Sequence, residues 1–395
     1  MRIGMILDKT FPPDPRVENE AVSLIQNGHE VFLFCLKYSD EKNSEVYNGI
    51  IVKRYQSDKL TYKLSALAYT FSFYTNILTK KIHHFLVENQ IDVIHIHDIQ
   101  IAEAVFKANK KLQLKITLDL HENRPEIMRF YPHLQKFPGN FLISVHKWKQ
   151  KEEELIKKAT NVVVVTEEAK EEIVNRTHKN PKNVVVVPNT VHKNYYNKAE
   201  LNQDILENYK NDFVLLYVGD TGLRRGLQTA IQSISTLKNT IQQIKLVIVG
   251  SNTSDSILKK QVEELGIQNW VDFQGWQNEK LFPSYMSASA ICISPLHRNL
   301  HHDTTYANKI FQYMSFAKPL LVSDAISQKN IVEKANSGLV HIAEDSTDFS
   351  AKVLELYQNK DLQHRLGVNG KHFIDTEFYW EKTSEKLIDL YTNLS

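Results

Sequence analysis

Residues 304–324 read T-T-Y-A-N-K-I-F-Q-Y-M-S-F-A-K-P-L-L-V-S-D, and Asp303 precedes them. Tyr306, Ile310, Met314 and Ala317 recur at helical spacing, which turns one apolar face towards a core. Thr305, Asn308, Gln312 and Ser315 form a polar stripe at the same period. Asp303, Thr304 and Thr305 stand where N-cap residues belong. Lys318-Pro319 then ends the helix, and Leu320-Leu321-Val322 reads as a short buried strand. A helix N-terminus rich in hydroxyls suits an anionic ligand. An ordinary amphipathic helix carries the same pattern, so the flanking sequence decides between the two.

Working outward, the flanks repeat one theme. Residues 213–231, FVLLYVGDTGLRRGLQTAI, predict a strand, a glycine-containing loop and a helix. Apolar runs follow at 245–250, 271–275, 290–294 and 339–342. The first half carries similar runs at 2–7, 31–35, 92–97, 115–120, 161–165 and 183–187. Continuous apolar, β-branched runs mark strands covered on both faces, and strands alternating with helices mark doubly wound sheets. At 395 residues the chain is too long for one small core, so two α/β units are expected. Residues 190–211 lack an apolar period and read as the linker. The loop D-K-T-F-P-P-D-P-R (8–16) is stiffened by its prolines, and a helix is predicted over Asn19–Asn27 before Gly28.

Composition narrows the function. Forty-eight basic and 46 acidic residues leave a formal charge of +2, which gives no electrostatic footprint for nucleic acid. Cys35 and Cys292 lie inside apolar runs and are expected as buried free thiols of a reducing cytosol. The apolar start, M-R-I-G-M-I-L, is too short for a signal segment, and no run of about 18 apolar residues predicts a spanning helix. Over residues 59–87, Leu64, Ala68, Phe71, Leu78, Ile82 and Phe85 make one helical face. Tyr62, Tyr69 and Phe73 fall off it beside Lys63, Lys80 and Lys81. That second face fits a membrane-surface helix or a helix packed on two sides. Residues 130–148 are again aromatic and basic, without a clear period.

Three constellations carry chemistry. Gly219-Asp220-Thr221-Gly222-Leu223-Arg224-Arg225-Gly226 joins a strand to a helix; its glycines allow close backbone approach and its arginines suit phosphate. His97-Asp98 and His121-Glu122 stand at strand ends, where ligands bind in open α/β sheets. His121-Glu122 suits polar substrate contact or acid–base work. His95-x-His97-Asp98 resembles half of a metal site, but no further ligand spacing or D-x-D pair completes it. Strand-end histidines satisfied by hydrogen bonds are expected instead.

The order of these pieces resembles the retaining glycosyltransferases of family 4, which have the GT-B fold. The resemblance rests on D-P-R-V (14–17), D-V-I-H-I-H-D (92–98), L-D-L-H-E-N-R-P-E (118–126), V-V-V-V-P-N (184–189), Y-V-G-D (217–220) with R-R-G-L (224–227), V-I-V-G (247–250), V-D-F-Q-G (271–275) and N-K-I-F-Q-Y-M (308–314) with K-P-L-L-V-S-D (318–324). It implies two Rossmann-like domains facing across a cleft. Residues 1–190 would bind acceptor and 212–372 the nucleotide sugar, while a C-terminal helix (373–395) packs back on the N-terminal domain. By the resemblance, His121 is the active-site histidine near the donor sugar, with Glu122 beside it. Arg225 matches the basic residue that binds diphosphate, with Gly219, Asp220 and Arg224 in the same loop. Gln312 takes the place of the ribose-binding glutamate and Thr304 that of the other glutamate of the pair. Asp303, Thr305, Asn308 and Lys309 complete the donor set, and Trp276 lies in the base-binding segment. Arg16, His97 and Asp98 fall on the acceptor side.

The implied activity is metal-independent transfer from a nucleotide-diphosphate sugar, a co-substrate and the sole cofactor-like molecule, to a glycan or lipid-linked acceptor. The implied setting is the cytoplasm, at the inner face of the plasma membrane, with residues 59–87 as the peripheral contact. Thr304 and Gln312 leave two alternatives open: an inactive GT-B scaffold that binds a nucleotide sugar or partner, and a nucleotide-sugar epimerase of the same shape.

Overall fold

A computed structural model describes residues 1–394 apart from 59, 60, 63, 64, 132, 133, 135 and 138, with the backbone alone at 140 and 198. Its described residues fall into two compact units, residues 1–188 with 383–395, and residues 189–382.

In the first unit the apolar runs form β1 (Arg2–Ile6), β2 (Glu30–Lys37), β3 (Ser44–Tyr47), β4 (Ile50–Gln56), β5 (Val93–His97), β6 (Lys115–Leu120), β7 (Asn161–Val164) and β8 (Val184–Val186). Their order across the sheet is β3-β4-β2-β1-β5-β6-β7-β8. Edge strand β3 runs antiparallel to β4, and the other pairs are parallel. Sequence order reverses between β1 and β5, so a crevice opens at the carboxyl ends of those strands. Asp8 and Lys9 follow β1, Asp98 follows β5, and His121 follows β6, all at that edge.

The second unit repeats the device with β9 (Phe213–Val218), β10 (Ile244–Val249), β11 (Val271–Gly275), β12 (Ile291–Ser294), β13 (Leu320–Ser323) and β14 (Gly338–His341). All pairs are parallel in the order β11-β10-β9-β12-β13-β14. The reversal here lies between β9 and β12, with Gly219-Asp220 at the end of β9. Strand parity explains the apolar runs: Leu216 and Val218 enter the core on one face, Leu215 and Tyr217 that on the other. Phe311, Ile310 and Met314 are fully buried against the first of these, and truncating Phe311 to Ala would cost about 3–5 kcal/mol.

Several expectations change. The first helix spans Pro15–Gln26, because Asp14 accepts the Val17 N–H at 3.2 Å and Pro15 takes the first helical position. The expected linker belongs to the second unit and contains the helix Gln203–Tyr209, with Tyr209 buried. Residues 59–87 are not one helix: a regular helix spans Phe73–Glu88, and Phe71, expected in the core, is exposed. Lys63 and Leu64 lie outside the described residues. Of the two readings of the face carrying Tyr69, this residue follows the packed one: it turns inward, its ring 4.6 Å from Trp148 and its hydroxyl donating to the Ile99 carbonyl. The segment from Phe373 onward is not a single helix either. The helix Lys360–Thr376 ends in the second unit, and a separate helix, Glu385–Thr392, belongs to the first. Cys35 and Cys292 are free and buried, as expected.

Candidate functional site

In the second unit, the loop after β9 and the chain after β12 meet at the switch point. Gly226 has φ 74°, and a Cβ there would lie 1.7 Å from the Pro295 carbonyl oxygen, so only glycine permits the approach. Gly226 also serves as N-cap of the helix Leu227–Leu237, offering that helix no side-chain acceptor. Gly219, at φ 124°, exposes bare backbone: a Cβ would stand 3.4 Å from the Lys309 Nζ.

Lys309 is the group that sequence reasoning underweighted. Its Nζ is buried, has no hydrogen-bond partner among the described residues, and sits 3.4 Å above the centre of the Tyr217 ring. Burial and the neighbouring Arg225 hold its pKa well below the usual lysine range. Asp220 answers the arginines, accepting from Arg225 Nε at 3.2 Å and Arg224 Nη2 at 3.4 Å, and from Asn252 Nδ2 at 2.6 Å. Despite burial, Arg225 and Asn252 hold the Asp220 carboxyl below its ordinary range. His302 braces the far side. Its Nδ1–H donates to the His297 carbonyl at 2.8 Å, which leaves Nε2 to accept from Arg224 Nη1 at 3.1 Å. Burial and the nearby arginines depress its pKa to about 3, so it is a neutral acceptor at ordinary pH. Two guanidinium groups and the Lys309 amine thus converge on one glycine-lined loop with a single carboxylate among them, an arrangement that binds anions.

The hydroxyl-rich N-terminus expected at 303–305 is absent. A four-residue helix, Leu300–Asp303, ends there, and the next, Lys309–Ser315, starts six residues on. Thr304 and Thr305 donate to the Leu300 and His301 carbonyls at 2.7 and 2.6 Å. Asp303 pairs with Arg298 at 2.8 Å and accepts the Ile326 N–H at 3.0 Å. The two threonines therefore close local turns, while Asp303 ties the end of this helix to Arg298 and to the backbone of Ile326. Asn308 is exposed and Gln312 half-buried, while Ser315 leaves the stripe, donating to the Phe311 carbonyl in the core. Trp276 is 76% exposed beyond edge strand β11, separated in the sheet from β9 by β10.

In the first unit, parity builds the second cluster. His95 and His97 lie two apart on β5, and Asp119 and His121 span the end of β6, with His97 paired to Asp119 in register. Asp119 is wholly buried and accepts from Arg16 Nε at 3.1 Å and Nη2 at 2.8 Å. It also stands 2.8 Å from His121 Nε2. Glu20, from the first helix, pairs with Arg16 at 2.9 Å and with His95 at 3.1 Å. The Tyr391 hydroxyl reaches His95 Nδ1 at 2.7 Å. Burial alone would lower the His121 pKa, but Asp98 and Asp119 more than offset it and push it up to about 9. Arg16 and His121 hold Asp119 ionised, well below the usual carboxylate range. His121 is therefore an imidazolium at neutral pH, a hydrogen-bond donor and not a base. Its Nδ1 stands 3.7 Å from Asp98, too far for a hydrogen bond, which leaves that N–H for a ligand.

Arg16 and His97, expected on the acceptor side, are instead buried beneath His121. The Arg16 guanidinium is also tied to the Val187 carbonyl, to which Nη1 donates at 3.1 Å. Asp98 remains at the edge, 3.7 Å from Lys9. Glu122 turns aside to Arg124 at 2.9 Å. The expectation that His95 and His97 lack companion ligands fails, since Glu20, His95, His97 and Asp119 present atoms within 4.8 Å of one another. The charge at that point is nonetheless met by Arg16 and His121 against two carboxylates, and a divalent ion would sit beside the Arg16 guanidinium. These residues fit an internal ion-pair network better than a metal centre.

The chain matches the Glycosyltransferase Family 4 model over residues 16–195 and the Glycosyl transferases group 1 model over residues 198–373. It is 24% identical over 180 residues to the lipopolysaccharide core biosynthesis glycosyltransferase LpsD of Rhizobium meliloti, covering 45% of this chain and 49% of that one. The chain spans about half the length of the curated relatives it matches. Sucrose-phosphate synthase from Thermosynechococcus elongatus has the same fold, with a TM-score of 0.80 at 16% identity over 100% of this chain and 98% of that one. Anabaena HepE, solved in complex with UDP, gives a TM-score of 0.71 at 13% identity, with both chains covered in full.

Proposed function

We propose that this chain, a glycosyltransferase of the GT-B type by both its halves, moves a sugar from a nucleotide-diphosphate sugar to a glycan or lipid-linked acceptor. The observation that carries the reading is the buried Lys309 amine, without a hydrogen-bond partner among the described residues, beside Arg224 and Arg225. Burial and Arg225 disfavour the charged form of that amine, and an anion at the Gly219 loop would supply both a hydrogen-bond partner and a reason to be charged. In the reaction, the bond from the anomeric carbon to the β-phosphate oxygen breaks and its electron pair stays on the phosphate. Arg224, Arg225 and Lys309 stabilise that growing charge, the part a metal plays on other scaffolds. The acceptor hydroxyl oxygen bonds to the anomeric carbon and its proton passes to the departing phosphate, with retention of configuration. Gln312 accepts from and donates to the ribose hydroxyls. The imidazolium of His121, in the first unit, offers its Nδ1–H to a substrate oxygen. That HepE was solved with UDP-glucose favours a uridine donor among those to be tried.

A thermal-shift screen of nucleotide sugars tests the proposal. The true donor at a hundred times its dissociation constant adds about 2.7 kcal/mol of stability. Free nucleotide should then appear only when an acceptor is supplied. A protein that no nucleotide sugar stabilises, or one that interconverts sugars without an acceptor, is not this transferase.

A further inference from the structure

A cavity of about 500 Å³ opens in the first unit, within the range of about 300–1,000 Å³ typical of ligand pockets. Its wall is largely hydrocarbon, from Leu67, Met128, Leu142 and Ile143, with the Trp148 ring behind. Of the polar groups on the wall, Ser65, Gln100 and Arg124 are already engaged, while the buried Trp148 Nε1–H has no hydrogen-bond partner among the described residues. Ser65 donates to the Tyr62 carbonyl at 2.6 Å and accepts from Gln100 at 2.6 Å, and Gln100 accepts from Arg124 at 3.0 Å. A sugar would find few vacant partners there, whereas a hydrocarbon chain needs none.

Two further features choose the occupant. Arg124 is the charged residue of the lining; it follows His121 by three residues in the chain, and Asp98, 3.7 Å from His121, acts on its guanidinium. The chain segments that supply the wall also carry exposed aromatic rings. Phe137 and Phe141 are 83% and 81% exposed, next to exposed Lys136 and Lys147, and Phe71 and Phe73 continue the segment that holds Leu67. Thr70 ties the two segments together by donating to the Leu142 carbonyl at 2.9 Å. Exposed aromatics with lysines are the makings of a lipid-interface contact.

We propose that this cavity receives the hydrocarbon chain of a lipid-linked acceptor, drawn from an anionic membrane surface, with the polar end of the lipid towards Arg124. The word acceptor rests on the transferase reading above; the lipid site does not. A farnesyl phosphate bearing a diazirine on its chain, irradiated with the full-length protein, tests it. Label is expected in peptides containing residues 62–67 or 128–148, and farnesol should compete while inorganic phosphate should not. Ala66→Phe, which fills the cavity from its wall, should cut labelling at least tenfold with the melting temperature unchanged. If that variant fails to fold, Leu142→Gln serves in its place. Label elsewhere, no label, displacement by inorganic phosphate, or undiminished labelling of a folded variant each overturns the proposal. Nucleotide-sugar thermal shifts on the same samples report on the second unit. A native protein that takes no label yet binds its nucleotide sugar therefore refutes the lipid site alone, and one that is labelled but binds no nucleotide sugar refutes the transferase reading alone.

Discussion

Replacing His121 by glutamine should flatten the dependence of stability on alkaline pH, and the size of the effect can be worked out. The folded imidazole titrates at about 9, against 6.5 for a free histidine, because Asp98 and Asp119 overcome its burial. Its raised folded value means that the proton stabilises the fold. Below about pH 6.5 both folded and unfolded states hold the proton and the contribution is complete; above about pH 9 it is lost. At about 1.36 kcal/mol for each pH unit between the two values, the full contribution is about 3.4 kcal/mol. The side chain is 16% exposed, so solvent screening trims this only modestly. Urea unfolding of the native chain and His121→Gln would be compared at several values from about pH 6 to about pH 10. Trp148 emission reports the first unit, and subtracting one protein from the other removes the shared signal of the remaining tryptophans and of other titrating groups. The native advantage should shrink by about 3 kcal/mol across that interval. Parallel curves would refute the argument, as would a His121 ring resonance titrating near the free value.

Arg225→Ala should remove charge-assisted bonds worth roughly 1.5–3 kcal/mol each, lowering donor affinity and turnover together because the diphosphate gains charge as it leaves. An unaltered rate would reassign Arg225 to a solvated turn. Lys309→Met should raise the melting temperature of the free protein, since it removes a buried polar amine without a hydrogen-bond partner, while weakening donor binding at least about tenfold by calorimetry; a drop in both would make Lys309 structural. Gln312→Ala should raise the donor KM by the equivalent of about 1–2 kcal/mol with little change in kcat, because ribose lies away from the reacting carbon. Transfer should survive excess chelator; loss restored by manganese would overturn the metal-free reading.

The double α/β architecture was legible because runs such as FVLLYV and VIHIH admit few other environments. The glycine–arginine loop was legible too, since it lies between a strand and a helix. Harder to see was the hub of the first unit. The side-chain alternation of His95 and His97, and of Asp119 and His121, is written locally, but their meeting depends on the register of β5 against β6. Glu20 and Tyr391 join from segments far away in sequence, with Tyr391 lying 296 residues from His95. The misreading at 303–305 has a different origin. Asn299 caps a helix of one turn by accepting the His302 N–H at 2.9 Å, and so short an element leaves no periodicity to detect.

The Glu385–Thr392 helix has a consequence for how the molecule is made. Residues 383–394 complete the first unit, yet the ribosome delivers them only after all of residues 189–382. At about 5–20 residues per second, those 194 residues, from 189 to 382 inclusive, take roughly 10–40 s. Throughout that interval Tyr391 cannot reach His95, and the pocket closing over the buried ion pairs is missing one wall. The half of the protein synthesised first is thus the half finished last, and a nascent chain stalled before residue 383 would present an open, water-accessible charge network to chaperones and proteases.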